Sequence, residues 1–223
     1  MVDNCWLLSA PRSGSWFLAK TLTGTGLFRN DFLEYISWEH DKKQPLPQIC
    51  KVLRRPFLLH YNDKIDIPVS KFIWLKRDNN FERAISMYFS LITGIWQKEV
   101  FRLDYHRHIP FLPKLAMECL AEVSHSYGND WSTFLESRDY LFVSYNDLMK
   151  EPKKQIERIL DYLGLASPAF IKFPTTLSMK RVETDEYVER LKSLSQNEPL
   201  PEVYSFDTPR AWDKLILRYK GFL

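Results

Sequence analysis

The sequence predicts an α/β fold, in which a parallel sheet is flanked by helices, and three observations support this. Short apolar runs alternate with segments of helical periodicity between residues 5 and 165. Short connections join them, as is typical of strands linked by crossover helices. Apolar residues make up 45% of the 223-residue chain, which is enough to bury a sizeable core. Because ligands of such sheets bind beyond the carboxyl ends of the strands, we expect informative residues directly after each strand.

Four short, mostly apolar runs predict the strands, at residues 5–10, 57–61, 71–76 and 140–145. Leu18, Leu22 and Leu27 have helical spacing after the first strand, with Gly24 and Gly26 as stop signals. A second helix is predicted to begin at a capping box in which Asn79 precedes Glu82 by three residues, and to end before residue 94. Residues 110–137 are predicted to be largely helical, and a last helix covers residues 152–163.

Composition bounds the organisation of the chain and its class. We expect one domain over residues 1–223, with a largely helical insertion at about 101–139 and a carboxyl-terminal segment, 166–223, in which the pattern defines no elements. The net charge of +3 is too small to indicate a nucleic-acid partner. No apolar run approaches the roughly 20 residues of a membrane span, and no signal peptide is evident. Cys5, Cys50 and Cys119 are widely spaced, so we predict core thiols in a reduced, cytoplasmic protein without a metal site.

The segment that follows the first strand has the composition of an anion site. Residues 9–16 read SAPRSGSW and lie between a predicted strand and a predicted helix, where backbone N–H groups and a helix dipole point at one spot. Gly14 allows close approach, Ser13 and Ser15 add hydroxyls, and Arg12 adds charge. A kinase P-loop would carry lysine and Ser/Thr after the second glycine, where this chain has Ser15 and Trp16, which argues against a Mg-ATP enzyme. An ordinary βα turn with a serine cap is the alternative.

A second basic position follows the strand at residues 71–76. Arg77 comes directly after that strand, and Ser86 lies about two turns into the next helix. An arginine fork and a helical hydroxyl together can clamp one phosphate. The alternatives are a surface ion pair of Arg77 with Asp78 or Glu82, and a merely buried role for Ser86.

Together these segments resemble sulfotransferases that use 3′-phosphoadenosine 5′-phosphosulfate (PAPS) and release 3′-phosphoadenosine 5′-phosphate (PAP). SAPRSGS at residues 9–15 is similar to the family's 5′-phosphosulfate loop, and KRDNNFERAIS at 76–86 to its 3′-phosphate segment. ITGIW at 92–96, YNDL at 145–148 and ILDYLGL at 159–165 also fit. The Glu-Tyr pair at residues 34–35 resembles the bacterial Stf0-like (trehalose and carbohydrate) sulfotransferases. The resemblance implies a P-loop-like sheet of the sulfotransferase type. It also implies donor contacts from Pro11, Arg12, Ser13, Gly14, Ser15, Trp16, Arg77 and Ser86, with Lys180 and Arg181 in a late basic loop.

The same resemblance implies in-line sulfuryl transfer to a hydroxyl, with Arg12 stabilising the leaving phosphate and a side chain acting as base. Glu34 is our first choice for the base and His60, at a predicted strand end, is the rival. Aromatic residues near the motifs are predicted to contact a glycan or small-molecule acceptor, namely Tyr35, Trp38, Trp96 and Trp131. A nucleotide kinase and a non-catalytic nucleotide-binding protein are the alternative functions, and a homodimer stays open.

Overall fold

The computed structural model describes residues 4–10, 12–28, 48–53, 71–93, 109–124, 131–174 and 183–201. Its strands are β1 (Asn4–Ser9), β2 (Gln48–Leu53), β3 (Lys71–Lys76) and β4 (Tyr140–Ser144). Its helices are α1 (Ser15–Thr23), α2 (Asn80–Thr93), α3 (Pro113–Ser124), α4 (Ser132–Leu135), α5 (Tyr145–Lys150), α6 (Pro152–Tyr162) and α7 (Thr184–Asn197). The chain divides into two compact units. The first holds Met1–Asp78 and Tyr127–Thr175, and the second holds Asn79–Ser126 and Thr176–Leu223.

The sheet lies in the first unit and is parallel throughout, with the strand order β2-β1-β3-β4. The Cα of Ser9 pairs with that of Leu75, and Lys76 pairs with Ser144. The carboxyl ends of β1, β3 and β4 therefore meet at one edge of the sheet. This confirms the predicted α/β class and brings together the segments that follow these three strands.

Helices α1 and α6 pack on the sheet through one apolar cluster. Residues 5–8 of β1 are fully buried, as expected for a strand with neighbours on both sides and layers on both faces. The cluster joins β1 to α1 and α6 through Cys5, Leu7, Leu18, Leu22, Ile156, Ile159 and Leu160. Burying a Leu or Ile side chain contributes about 1.5–3 kcal/mol, so this cluster holds the start of α1 firmly against the end of β1.

The second unit is a packing of α2, α3 and α7 around an aromatic centre. Tyr88 and Tyr187 meet edge to face, with ring centroids 6.2 Å apart. The Tyr187 hydroxyl donates to the Ile109 carbonyl, and the Tyr88 hydroxyl donates to the Pro110 carbonyl. Arg83 is fully buried and donates to Asn80 Oδ1 at 2.9 Å and to the Val123 carbonyl at 3.3 Å. Buried polar side chains in this unit thus bind its own backbone.

Local sequence signals set several helix ends as predicted. The Glu82 N–H donates to Asn79 Oδ1 at 3.1 Å, so Asn79 caps α2. Gly164, with φ of 69°, ends α6 in the left-handed conformation. Helix α1 ends at Thr23, but Gly24 keeps right-handed torsion angles and the left-handed glycine is Gly26.

The structure also corrects and extends the predicted elements. The predicted strand at 140–145 ends at Ser144, because Tyr145 begins α5 and Ser144 Oγ accepts from the Asp147 N–H at 3.5 Å as its cap. Strand β2 was not predicted, since Gln48 and Lys51 interrupt its apolar pattern. The predicted strand at 57–61 lies outside the described residues. Within the predicted helical stretch 110–137, helix occurs at α3 and α4, while residues 136–137 form a turn.

Helix α7 was not predicted because its segment is mostly polar. Its buried residues, Tyr187, Val188 and Leu191, nevertheless form one helical face. Cys5 and Cys119 are buried in the two cores, as predicted, and burial raises the pKa of the Cys119 thiol. Among the described ranges, no helix has the length and apolarity needed to cross a bilayer.

Candidate functional site

The turn between β1 and α1 carries two left-handed backbone conformations. Arg12 has φ of 63° and Gly14 has φ of 83°. The left-handed conformation costs a residue with a Cβ about 1–2 kcal/mol, which the surrounding contacts must offset at Arg12. The buried Ser13 hydroxyl donates to the Ala10 carbonyl, and this hydrogen bond links the two ends of the turn. Turns of this kind direct successive N–H groups into one concavity, which favours an anion.

The start of α1 faces the same turn. The Leu18 N–H donates to the Gly14 carbonyl at 3.1 Å, and this is the first bond of the helix ladder. The N–H groups of Ser15, Trp16 and Phe17 precede that bond and have no partner within the helix. Gly14 offers no side-chain cap, and the first turn contains no acidic residue. The positive end of the helix dipole is therefore left for a ligand of negative charge.

Arg77 joins the end of β3 to this turn. Its Nη1 donates to the Arg12 carbonyl at 3.2 Å, and its Cζ lies 4.4 Å from the centroid of the Tyr145 ring. The neighbouring Lys76 instead forms an ion pair with Asp78, with Nζ and Oδ1 3.2 Å apart. Arg77 is half-buried, so its charge is screened less than that of a surface residue. The structure thus brings together the two cationic segments that the sequence singled out.

Tyr145 forms a third side of the site, and the sequence analysis gave this residue no role. It follows β4 directly as the first residue of α5. A Cβ placed on Gly14 would lie 2.7 Å from Cε2 and 2.8 Å from Cδ2 of the Tyr145 ring. Glycine is therefore required at position 14 both by its φ and by the ring against it. Its position directly after a parallel strand is the signal that could have identified Tyr145, but the predicted strand included this residue.

The chemistry of the site fits a phosphate or sulfate group. The Arg77 guanidinium bonds to the turn that precedes the first-turn N–H groups, and guanidinium and N–H groups are donors that such anions prefer. Ser9 Oγ, at the end of β1, is buried and makes no hydrogen bond within the described residues. A buried hydroxyl without a partner is costly, and this one lies at the end of β1, directly before the turn that leads into α1. Among the described residues, no group of three or more His, Cys, Asp or Glu side chains is placed to hold a metal ion.

The remaining predicted site residues have other positions. Ser86 lies on α2 in the second unit, where its carbonyl accepts from Ser90 Oγ at 2.9 Å. Trp131 is fully buried and packs edge to face on Phe134, so the prediction that it contacts an acceptor is wrong. Trp16 is half-buried, with Lys20 Nζ 5.8 Å from its ring centroid. Pro11, Glu34, Tyr35, Trp38, His60, Trp96, Lys180 and Arg181 lie outside the described residues.

Similarity to a known family extends over most of the chain. A sequence model of the Sulfotransferase family matches residues 26–169, which is more than half of the chain. The chain belongs to the sulfotransferase family. The match begins after the turn between β1 and α1, so the geometry of residues 12–16 is evidence independent of it. No protein of curated function matches the sequence significantly.

A solved sulfotransferase structure has a similar fold. The sulfotransferase domain from the olefin synthase of Synechococcus PCC 7002 has a TM-score of 0.50 and 15% identity, covering 98% of this chain and 94% of that one. Mouse sulfotransferase SULT7A1, solved as a complex with PAP, has a TM-score of 0.47 and 16% identity, covering 98% of this chain and 85% of that one. The family and the fold together support an enzyme that transfers sulfuryl groups.

Proposed function

We propose that this sulfotransferase transfers a sulfuryl group from PAPS to a hydroxyl of a carbohydrate, a glycolipid or a small metabolite, as in the Stf0-like subgroup. One observation carries the proposal of a nucleotide donor. Arg77 lies against the turn that precedes α1 and donates to the Arg12 carbonyl, so a second cationic group is held beside the first-turn N–H groups. A donor with phosphate groups at both its 3′ and 5′ positions would use both features.

The residues that would hold PAPS divide between its two charged ends. Arg12 and the N–H groups of residues 13–16 suit the 5′-phosphosulfate, because they surround the start of α1. Arg77 suits the 3′-phosphate, and Ser86 remains its predicted partner. Lys180 and Arg181 remain predicted to cover the nucleotide. When bound, PAPS supplies the sulfuryl group and is released as PAP.

The chain's own residues supply charge stabilisation rather than covalent chemistry. In-line transfer through a loose transition state builds negative charge on the leaving 5′-phosphate. The helix fixes the first-turn N–H groups before the reaction, so they would stabilise that charge without further reorganisation, and Arg12 is the side chain proposed to assist them. The sequence has no lysine or Ser/Thr at the positions where a kinase P-loop binds phosphate and Mg²⁺.

The acceptor hydroxyl requires a base, and Glu34 and His60 remain the two predictions. Tyr35, Trp38 and Trp96 remain the predicted acceptor contacts. Replacing Glu34 by Gln should lower turnover by about 10²-fold or more if this carboxylate is the base. Turnover that is unchanged in Glu34→Gln but lost in His60→Ala would assign the base to His60 instead.

Ligand binding tests the donor directly. PAP should raise the unfolding temperature of the protein more than ATP with Mg²⁺ does, because only PAP carries the 3′-phosphate. In calorimetric titrations, Arg77→Ala should weaken PAP binding about 10- to 100-fold and leave adenosine 5′-phosphate binding much less affected. Lys76→Ala is the matched control, because it removes an adjacent cation that is paired with Asp78.

Three results would contradict parts of the proposal. Selective stabilisation by ATP with Mg²⁺ would favour the kinase alternative. Equal weakening of both nucleotides by Arg77→Ala would remove its 3′-phosphate role. PAP binding without sulfate transfer to any member of a panel of hydroxylated acceptors would favour a non-catalytic nucleotide-binding protein.

A further inference from the structure

We infer that Tyr145 is a positioning residue of the donor site, whose aromatic ring holds both Arg77 and the turn at Gly14 in their binding geometry. This inference rests on the proposed function, since it concerns the same site. The ring contacts two different chain segments, one from the end of β3 and one from the β1–α1 turn. It acts through these neighbours and not by chemistry of its own.

The contact with Arg77 fixes the direction of its guanidinium. A guanidinium over the face of a ring is attracted by the ring quadrupole, and a distance of 4.4 Å from Cζ to the centroid lies well inside the range of this attraction. The bond from Nη1 to the Arg12 carbonyl restrains the other side of the same group. An arginine held at two points loses less side-chain entropy when it binds an anion, which raises affinity.

The contact with Gly14 concerns the backbone of the turn. The space that a Cβ would need is filled by Cε2 and Cδ2 of the ring. The ring therefore limits movement of the residue that immediately precedes α1. Because the first-turn N–H groups follow Gly14 directly, a displaced ring would leave their direction less well defined.

The fold gives Tyr145 a rigid base for this role. Ser144 pairs with Lys76 in the sheet, so Tyr145 begins α5 one residue beyond a fixed register. Ser144 caps α5, and the fully buried Leu148 anchors it in the core. The contacts use the ring alone, because the Tyr145 hydroxyl makes no hydrogen bond within the described residues. Phenylalanine should therefore replace tyrosine, and an aliphatic residue should not.

Calorimetric titration with PAP tests the role of the ring. Tyr145→Phe should keep PAP affinity within about twofold, whereas Tyr145→Leu should lower it about 5- to 10-fold. In the double variant with Arg77→Ala, Tyr145→Leu should add less than it does alone, because its partner is already gone. Tyr140→Leu, at the opposite end of β4, is the matched control and should leave PAP affinity unchanged.

A second measurement without ligand separates this inference from the proposed function. If the two side chains interact, the double variant Tyr145→Leu with Arg77→Ala should lose less free energy of unfolding in urea than the sum of the two single variants. Should Tyr145→Leu fail to fold, Tyr145→Met replaces it in both measurements, since the flexible methionine side chain adapts to irregular space and has no ring face. If the wild-type protein does not bind PAP, the proposed function is wrong. If the destabilisations by Tyr145→Leu and Arg77→Ala are additive in urea, the inference is wrong even when PAP binds. The inference is also overturned if PAP binds normally to Tyr145→Leu, or if Tyr145→Phe loses as much affinity as Tyr145→Leu.

Discussion

Buried polar side chains of the second unit bond to its own backbone, whereas the turn between β1 and α1 in the first unit combines left-handed torsion angles with helix N–H groups that lack a helical partner. Tyr187 donates to the Ile109 carbonyl, and Arg83 donates to the Val123 carbonyl. In the first unit, by contrast, Arg12 adopts a left-handed conformation and the N–H groups at the start of α1 have no partner within the helix. The first arrangement pairs buried side chains with the backbone, and the second leaves backbone N–H donors without a partner in the helix.

This difference separates stability from function. Hydrogen bonds from buried side chains to the backbone stabilise a unit, and their loss leaves a buried carbonyl without a partner. Strained torsion angles and converging donors cost stability, and they persist at sites where a ligand uses them. Substitutions of Arg83 or Tyr187 should therefore change the free energy of unfolding, whereas substitutions at the sheet edge should also change ligand affinity.

The largest effect is expected from Gly14→Ala. The added methyl group meets the Tyr145 ring as well as an unfavourable φ of 83°. Gly26→Ala is the matched control, because Gly26 has φ of 75° but no atom within 4 Å of the added Cβ. We expect Gly14→Ala to lower the free energy of unfolding in urea by about 1–3 kcal/mol more than Gly26→Ala does, the usual cost of overpacking. Equal losses would show that the ring does not confine the turn.

A smaller effect is expected from Tyr187→Phe in the second unit. The variant leaves the Ile109 carbonyl without the hydroxyl that donates to it, which should cost about 1–3 kcal/mol in urea unfolding. PAP affinity should be unchanged, because this hydroxyl is committed to the backbone. Tyr140→Phe, at a residue that is 40% exposed, should change stability by less than about 0.5 kcal/mol. A Tyr187→Phe protein of normal stability but weakened PAP binding would contradict the comparison.

The smallest expected effect is the pH dependence of stability caused by Tyr162, which lies near the amino end of the sheet. Burial, with the nearby Asp139 carboxylate, raises the pKa of Tyr162 to about 12 from the usual 10. The folded protein therefore keeps the Tyr162 proton in a range where the unfolded chain loses it. Its contribution to stability is complete below pH 10 and declines as pH rises from 10 through 12. Unfolding temperatures of wild type and Tyr162→Phe, measured across this range, should fall more steeply for the wild type, and parallel curves would contradict the pKa shift.

The fold was predictable wherever apolar patterns were strong. Strand β3 has its predicted bounds, and Asn79 caps α2 as its spacing with Glu82 indicated. Strand β2 and helix α7 were missed, because their polar residues mask the pattern that burial in the tertiary structure imposes. The boundary between β4 and α5 was missed because a capping serine inside a mixed run resembles a strand residue until its hydrogen bond is seen.

For the candidate site, the sequence alone determined which residues follow each strand. The rule that ligands bind beyond the carboxyl ends of parallel strands was enough to select Arg12, Gly14 and Arg77. Only the tertiary structure decided that Arg77 bonds to the Arg12 carbonyl and that the Tyr145 ring fills the space beside Gly14. The physical reason is strand order: pairing of β1 with β3 and of β3 with β4 brings together segments 65 or more residues apart, and no local pattern encodes that pairing.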